Sequence, residues 1–239
     1  MVPALLLRGL IVGLVAGLLA FGFAKVFGEP LVDQAIAFEQ QHAGQDEGPE
    51  LVSRSVQAGV GLLIASLVYA TALGGLFSLV FAYWNGRIAL GPRGTAALLA
   101  ALGFVAIGLV PYLIYPANPP SVGTHDTIGA RTGLFFGAML ISIAAMALAV
   151  ALGRRLRPRF GQWNASVFGA IAYVVVMLIA QAFLPRIHEV PQGFSAELLW
   201  QFRATSLGLH VVIWATLGLL YGPAAERLLF PEARRPARA

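Results

Sequence analysis

The chain has no cysteine, and that single absence removes disulfide frameworks, thiolate metal sites and cysteine nucleophiles. Any metal it handles must be met by histidine, carboxylate, thioether or backbone oxygen. Charge is scarce as well: Asp, Glu, Lys and Arg make up 11% of the 239 residues, against about 25% in an average soluble domain. The one lysine, Lys25, is followed by Val26 and has no glycine-rich context, so ATP hydrolysis at a phosphate loop is excluded. H-E-x-x-H, G-x-S-x-G and any pair of acids inside an apolar run are also missing, which leaves intramembrane hydrolysis without its machinery. The chain reads as a protein that is not an enzyme.

What is abundant is apolar sequence, 58% of the residues. It falls into six runs, at about 5–27, 56–83, 95–115, 131–152, 165–184 and 204–222, each long enough to cross a hydrocarbon core of about 30 Å as a helix. In lipid every backbone N–H and C=O has to be paired within the segment, and runs of this length satisfy that only as helices. The expectation is an all-α, polytopic bundle of six spans forming one integral membrane domain, with an acidic loop over 28–55.

Orientation follows from the basic residues, because short loops rich in Lys and Arg stay cytoplasmic. Arg8, Arg87, Arg93, Arg154, Arg155, Arg157, Arg159, Arg227, Arg234, Arg235 and Arg238 fall on one side. Lys25, Arg54, Arg131, Arg186 and Arg203 fall on the other. This places both termini in the cytoplasm. It leaves Glu29, Asp33, Glu39, Asp46, Glu47, Glu50, Asp126, Glu189 and Glu197 outside, with only Glu226 and Glu232 inside. The net charge of +5 is thereby read as an orientation signal and not as a nucleic-acid surface. The Arg154 to Arg159 cluster would also suit anionic lipid headgroups.

Small residues recur at helical spacing in the first two runs: Gly9, Gly13 and Gly17 in one, Ser66, Ala70, Gly74 and Ser78 in the other. Faces of this kind let helix backbones approach closely, so these two helices are expected to pack together. That face also favours a retained first helix over the alternative of a cleaved signal peptide, which Arg8, Gly22 and Ala24 would permit. Within the first outer loop, Leu31 to Gln41 is expected as an amphipathic helix at the interface, and Gly44 to Pro49 as a flexible link. Pro111 should kink the third span, and Pro116, Pro119 and Pro120 should stiffen the loop after it.

In this topology all four histidines lie on the outer side. His42, His125 and His188 sit in three loops, with acids adjacent in His125-Asp126 and His188-Glu189; His210 lies inside the last span, with Ser206 and Arg203 on its helix face. Imidazole with carboxylate suits borderline divalent cations such as cobalt, nickel and zinc. A loop histidine alone is commonly just a solvated residue, whereas a titratable group inside a span marks a pathway or a buried hydrogen bond. The candidate ligands are therefore His210, His125, His188, Asp126, Glu189 and His42. Met139 and Met146, which flank Ser142 on one face of the fourth run, and Met177 in the fifth are soft thioether candidates whose bland role is core packing. Gln181 either faces the vestibule or bonds another helix.

The sequence resembles the CbtA family of bacterial cobalt transporter subunits. The resemblance is carried by Glu29-Pro30, by Glu50-Leu51-Val52-Ser53-Arg54-Ser55-Val56-Gln57, and by Tyr115-Pro116-Ala117-Asn118-Pro119-Pro120 with Asp126-Thr127-Ile128-Gly129. Glu189-Val190-Pro191 and Leu199-Trp200-Gln201-Phe202-Arg203 complete it. It implies five spans where the runs number six. It further implies cobalt as a transported ion with no permanently bound cofactor, cobalamin synthesis as its destination, and the bacterial inner membrane as its location. The implied partners are the lipid bilayer and a small single-span CbtB-like subunit bearing a histidine motif. A non-transporting scaffold or assembly factor that binds a partner through its glycine faces is the alternative reading.

Overall fold

The computed structural model describes residues 1–42, 52–187 and 189–230, and all regular structure among them is helical. The elements are α1 (Val2–Phe23), α2 (Glu29–His42), α3 (Arg54–Val56), α4 (Leu62–Trp84), α5 (Pro92–Gly103), α6 (Val110–Ile114), α7 (Ile128–Phe183) and α8 (Ala196–Leu229). Widened π-helical turns join α1 to α2 over Ala24–Gly28, α3 to α4 over Gln57–Gly61, and α5 to α6 over Phe104–Leu109. Five helical stretches result that are long and apolar enough to cross a membrane: Val2–Gln41, Arg54–Trp84, Pro92–Ile114, Ile128–Phe183, which is interrupted at Gly161, and Ala196–Leu229.

Two of the three π turns stop two residues short of a proline, Pro30 and Pro111. Proline has no N–H to give the i−4 carbonyl, and its ring presses on that carbonyl; an enlarged turn relieves both problems without ending the helix. At Pro111, where a kink was expected, a π segment precedes the proline and the helix runs on to Ile114. The same device carries α1 through Pro30, so the expected loop over 28–55 begins as helix. The expected amphipathic helix exists, but it continues α1 instead of starting afresh. Gly44 to Pro49 lies outside the described residues.

Five helices stand where six runs were counted because the fourth and fifth runs belong to α7. Gly161 inside α7 has φ 77° and ψ 169°, a conformation available almost only to glycine. The chain reverses there. Ser142 Oγ lies 2.8 Å from Tyr173 Oη, although 31 residues of straight helix would separate them by about 46 Å. A Cβ on Gly153 would sit 3.2 Å from the Ala165 carbonyl oxygen, and one on Gly169 would sit 2.7 Å from that of Ala149. The two arms are thus antiparallel and in close contact. The expected loop between them is helical up to the turn, with Arg154, Arg155, Arg157, Pro158 and Arg159 in helical conformation.

The helices gather into two compact units, the first comprising 1–33, 42–103 and 208–239, the second 34–41 and 104–207. In the first unit the expected pairing of small-residue faces is present: a Cβ on Gly9 would meet Gly74 and Ser78, one on Gly13 would meet Ala70 and Thr71, and one on Gly17 would meet Ser66 and Leu67. Rising numbers on α1 against falling numbers on α4 make the pair antiparallel. Helix α8 closes this unit, with the Tyr221 ring 5.3 Å from Phe77 and 5.0 Å from Phe81, and its hydroxyl donating to the Leu5 carbonyl at 3.3 Å. Arg93 on α5 pairs with Glu226 on α8 at 2.7 Å.

In the second unit Ala145, Ala149, Tyr173 and Met177 form a core between the arms of α7, with Val105, Val110, Ile114, Met146 and Ala180 packed around it.

Candidate cation-handling residues

His210 lies on the part of α8 that belongs to the first unit. Its Nδ1 is buried without a hydrogen-bond partner among the described residues. A polar atom left unpaired away from water costs about 1–3 kcal/mol. The Arg203 expected on its helix face is committed elsewhere: its guanidinium donates to Asn118 Oδ1 at 2.9 Å and to the Ala117 carbonyl at 3.4 Å, tying the start of α8 to the proline-rich loop.

Glu189 is the hub of the polar end of the second unit. Its Oε2 accepts from the Thr124 amide at 3.2 Å and from the Thr127 hydroxyl at 2.8 Å, and it lies 3.6 Å from Arg131 Nε. The Gly123 amide in turn donates to the Glu189 carbonyl at 3.2 Å. Arg131 also donates to the carbonyls of Val122 and Thr124, both at 3.3 Å, and Tyr115 Oη donates to the Pro185 carbonyl at 2.8 Å. This carboxylate therefore holds two loops together, and binding a metal would require it to exchange those contacts. Asp126 beside it is exposed. Ser121 Oγ donates to the Ala35 carbonyl at 3.1 Å, and the Phe38 and Phe194 rings meet edge to face at 5.0 Å, so α2 joins the same polar end.

The three loop histidines fall outside what the structure describes: His188 entirely, His42 and His125 by their side chains, although His42 ends α2 and His125 opens a short 3₁₀ turn. Met146 and Met177 pack in one core cluster, Met177 being buried, and Met139 is half-buried two turns earlier on α7. Gln181 is exposed near the end of α7. Among the described residues no three His, Asp or Glu side chains come close enough together to hold a metal ion.

Several polar groups of consequence were not singled out from the sequence. Arg54 donates to both Glu29 and Asp33, the latter at 2.9 and 3.0 Å, and Lys25 donates to the Ala58 carbonyl at 3.0 Å. The i, i+4 spacing of Glu29 and Asp33 on one helix was the available signal, and it is hidden if Pro30 is read as the end of that helix. Tyr173, the partner of Ser142, carries no signal in a run of apolar residues. Thr71 Oγ1 and Trp214 Nε1 in the first unit are buried without partners among the described residues, and nothing in the local sequence marks them.

An all-helical chain with five apolar helices of spanning length, polar residues collected at helix ends and one histidine inside the last helix defines a multi-pass membrane protein. The family model for CbtA, described as probable cobalt transporter subunit, matches residues 2–226, and the chain belongs to that family. No curated protein and no solved structure matches it.

Proposed function

We propose that this chain is the multi-pass subunit of an uptake system for cobalt or a similar divalent transition metal, and that it is not an enzyme. The ion it delivers serves cobalamin synthesis. The observation that carries the reading is His210: an imidazole nitrogen without a partner among the described residues, buried in a helix of spanning length in a chain whose family is described as a probable cobalt transporter subunit. Intramembrane ionisable groups are costly and persist where they line a pathway.

In this reading the chain crosses the bacterial inner membrane six times, each arm of α7 making one crossing, with both termini cytoplasmic. The arginine distribution supports that orientation. The outer acidic residues raise the local cation concentration, and His210, helped by His125 and His188, receives the ion. The remaining ligands come from water or from a second subunit, here a small single-span CbtB-like protein with its own histidine motif.

Accumulation of radioactive cobalt, in cells lacking other cobalt importers and expressing this chain with and without the small subunit, tests the reading. Uptake should require the chain and fall about tenfold or more with His210→Ala, the scale of loss when a group that supports a metal site is removed. No uptake in the presence of both subunits would remove cobalt import as the function.

A non-transporting scaffold is supported by one feature: Gly129, Gly133 and Gly137 face open space on one side of α7, a surface on which another helix would pack closely. A scaffold requires no histidine, so it predicts an intact phenotype in cells carrying His210→Ala.

A further inference from the structure

A cleft of about 480 Å³ opens in the second unit, between residues 34–41 of α2 and the start of α8. Gln34, Phe38 and Gln41 line one wall at i, i+4 and i+7, the spacing of a single helix face. Ser195, Glu197 and Gln201 line the other. The walls are braced: the Phe38 ring meets Phe194 edge to face at 5.0 Å, and Ser195 Oγ caps α8 by accepting from the Leu198 amide at 3.2 Å. Gln201 Nε2 donates to Glu197 Oε1 at 3.0 Å, which holds the two side chains together one turn apart. With that N–H committed, the Gln201 amide offers its oxygen as an acceptor.

Charge decides what such a cleft takes. Glu197 carries a full negative charge, and among the described residues no Lys, Arg or His lines the cleft. The positive end of α8 contributes about half a unit, which the charge of Glu197 outweighs. Anions, lipid phosphate included, are therefore disfavoured and a cation is favoured. Direct coordination is not: among the described residues no three His, Asp or Glu side chains come close enough together to hold a metal ion. Amide, carboxylate and hydroxyl oxygens instead suit the waters of a hydrated ion, which the metal makes strong hydrogen-bond donors. An octahedral ion with its first water shell takes roughly 200 Å³ at about 30 Å³ per water, so the cleft has room for it.

We propose that this cleft binds a hydrated divalent cation, held through its waters by Glu197, Gln201, Gln34 and Gln41. That this cation is the transported metal rests on the import reading, in which the cleft holds the ion before it sheds its water.

Hexaamminecobalt(III) has the shape and donor groups of a hydrated ion and does not exchange its ammonia for protein ligands. Its binding to the full chain in maltoside micelles, measured by equilibrium dialysis, tests the site with no transport step. Binding should be saturable, and Glu197→Gln should weaken it about tenfold or more, the scale for losing an outer-shell partner of a metal. Gln201→Glu, which adds a second carboxylate to the same wall, should tighten it by a similar factor, a gain that misfolding does not produce. Mg²⁺ and Co²⁺ should displace the probe about equally, since contacts made through water read charge and size. Unchanged affinity in either variant, or displacement by Co²⁺ alone, would overturn the proposal. Displacement by ethanolamine and by neither metal would overturn it as well, assigning the cleft to an ammonium headgroup. Failure of the cobalt uptake assay leaves these binding results standing, and the reverse holds too.

Discussion

Ser142 and Tyr173 share a buried hydrogen bond of 2.8 Å across the two arms of one helical element. Their pairing ties the reversal at Gly161 to the core formed by Ala145, Ala149, Tyr173 and Met177. The bond lies where an arm-to-arm slip of even one residue would break it. Its strength can be isolated by a double-mutant cycle of Ser142→Ala and Tyr173→Phe, with unfolding followed in mixed micelles. A coupling of about 0.6 kcal/mol, and no more than about 1.7, is expected from interhelical hydrogen bonds in membranes. Zero coupling would mean that the two hydroxyls do not bond.

The reversal itself rests on a backbone conformation. Gly161 has φ 77° and ψ 169°, and a side chain there is strained whatever the space around it. Gly161→Ala should destabilise the protein by about 1–3 kcal/mol. Gly129→Ala, at a helical position with open space, serves as the control and should be neutral or slightly stabilising. Equal stability of the two variants would contradict the turn.

Close approach, and not backbone conformation, governs Gly13. Its missing Cβ would lie 2.8 Å from Thr71 Cα, with backbone on both sides and nothing flexible to move. Gly13→Ala should therefore force α1 and α4 apart and lower stability by about 1–3 kcal/mol. Gly137→Ala, whose added methyl meets nothing, should leave it unchanged or raise it by up to about 1 kcal/mol. The readout is thermal unfolding of the two variants in the same detergent.

Glu189 separates a structural from a ligand role. Its carboxylate accepts from Thr124 and Thr127 and faces Arg131. Glu189→Ala should free the Thr124 amide and raise hydrogen exchange across 122–127 by about tenfold, the change that accompanies loss of about 1.4 kcal/mol of local stability. Unchanged exchange combined with lost cobalt uptake would instead assign Glu189 to the ion.

Much of the architecture is legible along the chain. Apolar runs of spanning length, the repeated small residues of α1 and α4, and the pairing of those two faces all follow from local period and composition. The extent of the helices did not, because Pro30 and Gly161 each depart from their usual meaning. Pro30 lies inside a helix once the π turn over Ala24–Gly28 takes up its steric demand. Gly161 ends an arm while its neighbours on both sides remain helical. The candidate ligands were legible only as residue types: sequence shows that Glu189 is an acid beside a histidine, but not that Thr124, Thr127 and Arg131 already surround it.

Sequence alone determined the solvent of this protein and hence its class. A chain this apolar with so few charges must pair its backbone internally, and long runs can do so only as helices. Tertiary structure alone decided which polar atoms are matched. Arg203 finds Asn118, Ser142 finds Tyr173, and His210 Nδ1 and Trp214 Nε1 find no partner among the described residues. The reason is physical: backbone pairing within a helix is local and periodic, whereas a side-chain hydrogen bond needs two atoms from distant segments within about 3 Å, and no period in the sequence encodes that meeting.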